Sequence, residues 1–140
     1  MNPTLQEHRK MRCEVIETFF DTHNEGDVRR LMPILELPFI ISDPDGHEVI
    51  RHERDMYDHF NRSIPLFRKN NMEIVENFSR MRELCDGFAV HHESTEVVRT
   101  EGGQTHIELI SEFVFLMRYD GDQWRIYHMI NRIQEPPPPQ

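Results

Sequence analysis

Met11, Val15, Ile16, Phe19 and Phe20 recur at helical spacing between charged residues, which predicts an amphipathic helix over Thr4–Asn24. Gly26 stops it, and Asp27 caps a short second helix carrying Val28, Leu31 and Met32, confined by Pro33 and Pro38. Phe39-Ile40-Ile41 reads as a brief strand running into Ser42-Asp43-Pro44-Asp45-Gly46, a turn by composition. A third helix covers His52–Asn70, with Met56, Phe60, Ile64 and Phe67 along one side and Pro65 kinking it or ending it early. The period then changes. Met72–Leu84 has strand character, Asp86-Gly87 turns, and Phe88–Arg132 alternates as three strands joined at Gly102-Gly103 and Asp120-Gly121. Helices with one small strand, followed by a four-strand antiparallel meander, make an α+β arrangement.

Two-residue turns would set Glu101 opposite Gln104 and Tyr119 opposite Asp122. Alternation then gathers Phe88, Val90, His92, Ser94, Glu96 and Val98 on one face. Ile107, Leu109, Ser111, Phe113, Phe115 and Met117 join them from the next strand, and Trp124, Ile126, His128 and Ile130 from the last. That face is apolar with a polar patch at its centre, as small-molecule pockets commonly are. Two strands apart, His92 and His128 would stand roughly 10 Å from each other. Such a gap suits a ligand or a water between two imidazoles that titrate near neutrality. The alternative is that each is a part-buried histidine satisfied by a hydroxyl such as Ser94 or Ser111. The other face, with His91, Glu93, Thr95, Glu112 and Arg125 among its residues, is wetter.

Composition narrows the function classes. At 140 residues with a formal net charge of -9 and no basic stripe, the chain is no candidate for nucleic acid. No apolar run reaches membrane length, and the N-terminus has no signal-peptide core, so no membrane partner is expected. Cys13 and Cys85 show neither metal nor redox spacing, which points to a reduced, cytoplasmic protein. The adjacent His91 and His92 face opposite ways and no other ligand spacing occurs, so neither a metal nor any other cofactor is expected. Residues 1–135 read as one domain and 136–140 as a proline-rich disordered tail.

Three stretches in this order carry a resemblance: Asn24-x-Gly26-Asp27, Ser42-Asp43-Pro44-Asp45-Gly46, and Asp120-Gly121-x-x-Trp124-Arg125-Ile126-x-His128. Over Leu5 to Ile133 the chain resembles the nuclear transport factor two-like superfamily, and more narrowly its SnoaL-like, ketosteroid-isomerase-like branch. The resemblance implies a curved antiparallel sheet wrapped by N-terminal helices into a cone (a cystatin-like fold), a ligand inside the cone, and a homodimer formed through the outer face of the sheet. Asp43 falls where ketosteroid isomerases carry their aspartate base, although aspartate before proline is also a common turn residue. The tyrosine and the protonated aspartate of the isomerase oxyanion hole match Phe19 and Phe113, so both donors are absent.

The expected catalytic residues are therefore Asp43, His92 and His128. Phe19, Tyr57, Ser94, Glu96, Ser111, Phe113, Phe115 and Trp124 are expected to line the ligand. Three functions fit these expectations: a cofactor-free acid–base enzyme of isomerase, dehydratase or cyclase type acting on a small, mostly apolar molecule; a non-catalytic ligand-binding module; or a structural, oligomerising subunit.

Overall fold

A computed structural model of the chain describes residues 2–134, so the proline-rich tail lies outside the described residues. Helix α1 (Leu5–Glu25) begins in a reciprocal cap: Thr4 Oγ1 accepts the Glu7 backbone N–H at 3.1 Å and donates to Glu7 Oε1 at 3.1 Å. It ends at Gly26, in left-handed conformation with φ 74°, whose N–H caps the carbonyls of Thr22 and His23. A Cβ on Gly26 would stand 3.2 Å from Arg68 Cβ, so both conformation and closeness select glycine here.

Two single 3-10 turns, Val28–Arg30 and Met32–Ile34, replace the short second helix. Asp27 caps the first by accepting the Arg29 N–H at 3.0 Å. The helix expected over residues 52–70 divides at its proline into α2 (Glu53–Asn61) and α3 (Ile64–Lys69). Proline lacks an N–H, which costs nothing in a first helical turn, and Pro65 takes that place in α3.

The sheet is larger than expected. The brief strand extends to β1 (Leu35–Asp43) and folds back through the Asp43–Gly46 corner onto β2 (Gly46–Ile50). Then come β3 (Met72–Cys85), β4 (Phe88–Glu101), β5 (Gln104–Tyr119) and β6 (Trp124–Gln134). Their order is β2-β1-β6-β5-β4-β3, so β1 completes the meander by pairing with β6, and that pairing is parallel. β3 forms one free edge.

On α1, Arg12, Ile16, Phe19, Phe20 and His23 form a buried stripe. It packs on the inner face of the sheet, where Phe19, Phe20, Phe113 and Phe115 meet edge to face, with centroids 4.8–6.0 Å apart across the helix–sheet boundary. Phe39, Met56, Phe60 and Ile64 close the same core from β1, α2 and α3.

The expected register fails at two bulges. Val98 pairs with Ile107 but Val97 with Leu109, so Glu108 is an extra residue on β5. Beyond it, Phe113 faces Glu93 and not His92. One inserted residue turns β4 over: His91, Glu93, Thr95 and Val97 point into the core, and His92, Ser94 and Glu96 point outward. A second bulge places Tyr127 between the Ile126–Met117 and His128–Leu116 pairs. The β5–β6 corner is also wider than two residues, because Asp120 Oδ1 accepts the N–H groups of Asp122 at 2.9 Å and Gln123 at 2.8 Å. Trp124 and Ile126 stay inside as expected. Past the bulge, His128 and Ile130 turn out and Met129 turns in.

Candidate functional site: the cavity at the α1 N-terminus and the polar seam beside it

The residues expected to share a pocket are dispersed. His92 and His128 both lie on the outer face, in adjacent rows against Val114 and Leu116 respectively. His128 Nε2 is 2.8 Å from Ser42 Oγ; partial burial and the neighbouring His47 lower its pKa. Ser94 and Glu96 share that outer face. Asp43 sits exposed at the β1–β2 corner, where Oδ1 accepts the Asp45 N–H at 2.8 Å. Tyr57, on α2, is 39 % exposed. Phe19, Phe113 and Phe115 are inside as expected, but they fill the interior with packed rings. Ser111 is also inside, receiving Asn131 Nδ2–H at 3.4 Å, while its carbonyl accepts the Thr95 hydroxyl at 3.1 Å.

Of that set, Trp124 alone borders a large opening. A cavity of about 800 Å³ lies where the start of α1 meets the β3–β4 and β5–β6 corners. Leu5, Leu84, Phe88 and Trp124 give it apolar walls; His8, Arg12, Glu83 and Tyr119 supply polar groups. Trp124 Nε1–H donates to His8 Nδ1 at 3.0 Å, and the His8 ring stands edge-on to Tyr119 and Trp124. With Nδ1 accepting, neutral His8 carries its proton on Nε2 and is a donor there.

Arg12 joins this cavity to the core. Its side chain is 1 % exposed, and its guanidinium lies 4.7 Å from the Trp124 ring centroid. Nη2 donates to Glu83 Oε1 at 2.9 Å, and Met81 Sδ lies 3.1 Å from the same nitrogen.

Past Arg12, a polar seam runs between α1 and β3–β4. His91 and Glu93 are buried, with His91 Nδ1 3.9 Å from Glu93 Oε1. Ser79 donates its hydroxyl to the same Glu93 oxygen at 2.6 Å. Glu76 approaches from β3; burial first, then the Glu93 carboxyl that it hydrogen-bonds, push its pKa up to about 7. His91 Nε2 and Arg12 Nε find no partner within the protein.

Sequence reading missed Arg12, His8, Tyr119 and the whole seam. Arg12 and His23 were legible in principle: with Ile16, Phe19 and Phe20 they repeat at helical spacing along one buried stripe. The seam was not, because the two faces of β4 are similarly mixed and only the bulge decides between them.

No family model and no curated protein matches the chain. Solved structures do. An NTF2-like protein with a cystatin-like fold from Novosphingobium aromaticivorans superposes with a TM-score of 0.78 at 14% identity, covering 92% of this chain and 83% of that one. A protein proposed to be a dehydratase of the NTF2-like family, from Streptomyces avermitilis, gives 0.68 at 12% identity, covering 92% and 97%. A proposed calcium/calmodulin-dependent kinase II association domain from Xanthomonas campestris gives 0.64 at 15% identity, covering 88% and 85%. A mixed, curved six-stranded sheet under N-terminal helices, superposing on these proteins along most of its length, is the NTF2-like, cystatin-like fold.

Proposed function

We propose that the chain is a small-molecule pocket protein whose ligand occupies the cavity at the α1 N-terminus. The observation that carries this reading is the pairing of Trp124 with His8: a large apolar wall with a hydrogen-bond donor fixed beside it. Apolar walls with few convergent polar groups suit a flat, mostly apolar molecule bearing a carbonyl, ether or carboxylate oxygen. His8 Nε2–H and the Tyr119 hydroxyl are the donors available to that oxygen.

Binding has more support than acid–base turnover of the isomerase, dehydratase or cyclase kind. His92 and His128 stand outside the cone, Asp43 is engaged in its turn, and phenylalanines occupy the two positions matched to oxyanion donors. His8 presents the cavity with a donor and not a base, because its free nitrogen is the one that carries the proton.

The outer face of the sheet supports a homodimer as the state in which this pocket protein works. Val90, Val114, Leu116, Ile130 and Phe78 lie on it outside the buried core, with Phe78 47 % and Ile130 37 % exposed.

Trp124 is the sole tryptophan, so binding is readable without a label. Titration with 1-naphthoate and with 1-acetonaphthone is expected to change its emission saturably. His8→Ala, by losing one buried hydrogen bond, should weaken the better ligand about tenfold. Emission unmoved by either compound, or affinity unchanged in His8→Ala, overturns the assignment.

A further inference from the structure

Helix α1 sets His8 and Arg12 one turn apart on one face, and both pack on Trp124. Both also line the cavity at the start of that helix, so a ligand there meets two donors held against a single indole.

The two donors differ in charge. His8 is a neutral donor through Nε2–H, because Nδ1 accepts the indole N–H. Arg12 is a full cation, and among the described residues it is the one Arg or Lys that lines the cavity. It is poorly answered. Nη2 donates at 2.9 Å to one oxygen of Glu83, its other contact is the weak acceptor Met81 Sδ, and Nε has no acceptor within the protein. A guanidinium fork that can hold two carboxylate oxygens is thus served by one.

The acidic residues around the cavity are placed differently. Glu83 is 38 % exposed, and Asp86 and Asp122 are exposed at the β3–β4 and β5–β6 corners, so water screens all three. Arg12, 1 % exposed, has no such screening. The charge that acts most strongly on a ligand inside the cavity is therefore the cation. A phosphate would bring a second negative charge to this lone guanidinium. A carboxylate brings one, in a plane that matches the fork.

We propose that the ligand of this cavity is an aromatic carboxylic acid in its ionised form, its ring against the apolar wall and its carboxylate shared between the Arg12 guanidinium and His8 Nε2–H. Arg12 is then the residue that selects an acid over the corresponding ketone. The assignment rests on the cavity being the ligand site, as proposed above. Glu83 gives way when the acid arrives: its carboxylate has water to turn to, and the buried guanidinium keeps a counter-ion throughout. A ketone brings no charge and cannot take that place.

Trp124 emission, titrated with 1-naphthoate and with 1-acetonaphthone at pH 8, reads the preference directly. In the native chain the acid is expected to bind about tenfold more tightly than the ketone, the worth of one charge-assisted hydrogen bond. In Arg12→Met the ratio of the two affinities should fall to about one. Glu83→Gln removes the competing carboxylate, so it should tighten 1-naphthoate about tenfold and leave the ketone unmoved. The same variant strands the Arg12 charge, so saturating 1-naphthoate should raise its urea midpoint more than that of the native chain. A ketone bound as tightly as the acid, a preference that survives Arg12→Met, or weaker binding of the acid in Glu83→Gln would each overturn the proposal while leaving the pocket in place. Neither compound binding would overturn the pocket and the proposal together.

Discussion

Burying the Arg12 guanidinium forfeits its hydration, and among the described residues Glu83 is the one carboxylate that answers it. The two partners are not equivalent. Glu83 is 38 % exposed, so water can receive it if Arg12 is removed; Arg12 has no such recourse if Glu83 is removed. Glu83→Ala should therefore cost about 3 kcal/mol in urea denaturation, the lower end for a stranded buried charge. Arg12→Met, which keeps the volume against Trp124 and strands nothing buried, should cost clearly less. His23 makes the opposite use of burial. Its Nδ1–H donates to the Phe19 carbonyl at 2.8 Å, and desolvation lowers its pKa to about 4. Its contribution to stability is complete above the unfolded value of 6.5 and fades as pH falls toward 4. Full protonation of a group so deeply buried withdraws about 3 kcal/mol. A series of urea midpoints from pH 7 to 4 should show that decline in the native chain and a flatter line in His23→Gln.

Elements were more legible than their registration. Helical periodicity and the proline at position 65 located α1, α2 and α3, and glycine-bearing corners located β3 through β6 within a residue or two. The faces of β4 were misread because periodicity of two carries no memory across an inserted residue. His91-Glu93-Thr95 and His92-Ser94-Glu96 offer nearly the same polarity, so the packing of Phe113 and Phe115 against α1 decides the outcome, with Glu108 absorbing the mismatch. Deleting Glu108 sets corner and core in conflict: either the Gly102-Gly103 turn breaks or the phenylalanines leave the interior. The expected result is a loss of several kcal/mol, since moving even one Phe out of a core costs ~3–5 kcal/mol. A midpoint within 1 kcal/mol of the native chain, by the linear free-energy relation for denaturant, would show that β5 can be re-registered freely.

For the molecule as a whole, what sequence could convey was architecture, through the order of elements and their punctuation. The place of the cavity depended on two bulges and one wide corner that no local pattern announces. The same bulges send His92, His128 and Ile130 to the outer face, where Leu116 lies at the centre of the surface proposed for the homodimer. Leu116→Arg introduces a charge that two copies would have to bury together. Light scattering should report a dimer for the native chain and a monomer for the variant, with Trp124 emission unchanged because that ring lies on the inner side.

β3 runs fourteen residues along an edge whose backbone has no neighbour on its far side. A strand of that length would ordinarily invite a stranger's backbone to continue the ladder, copy upon copy. Here Arg80, Arg82 and Glu83 crowd one half, and a register shift between Glu76 and Phe78 bends the other. Desolvating the charges and straightening the bend would both oppose an incoming strand. The chain can thereby carry a long, uncovered sheet edge without becoming the seed of a fibre.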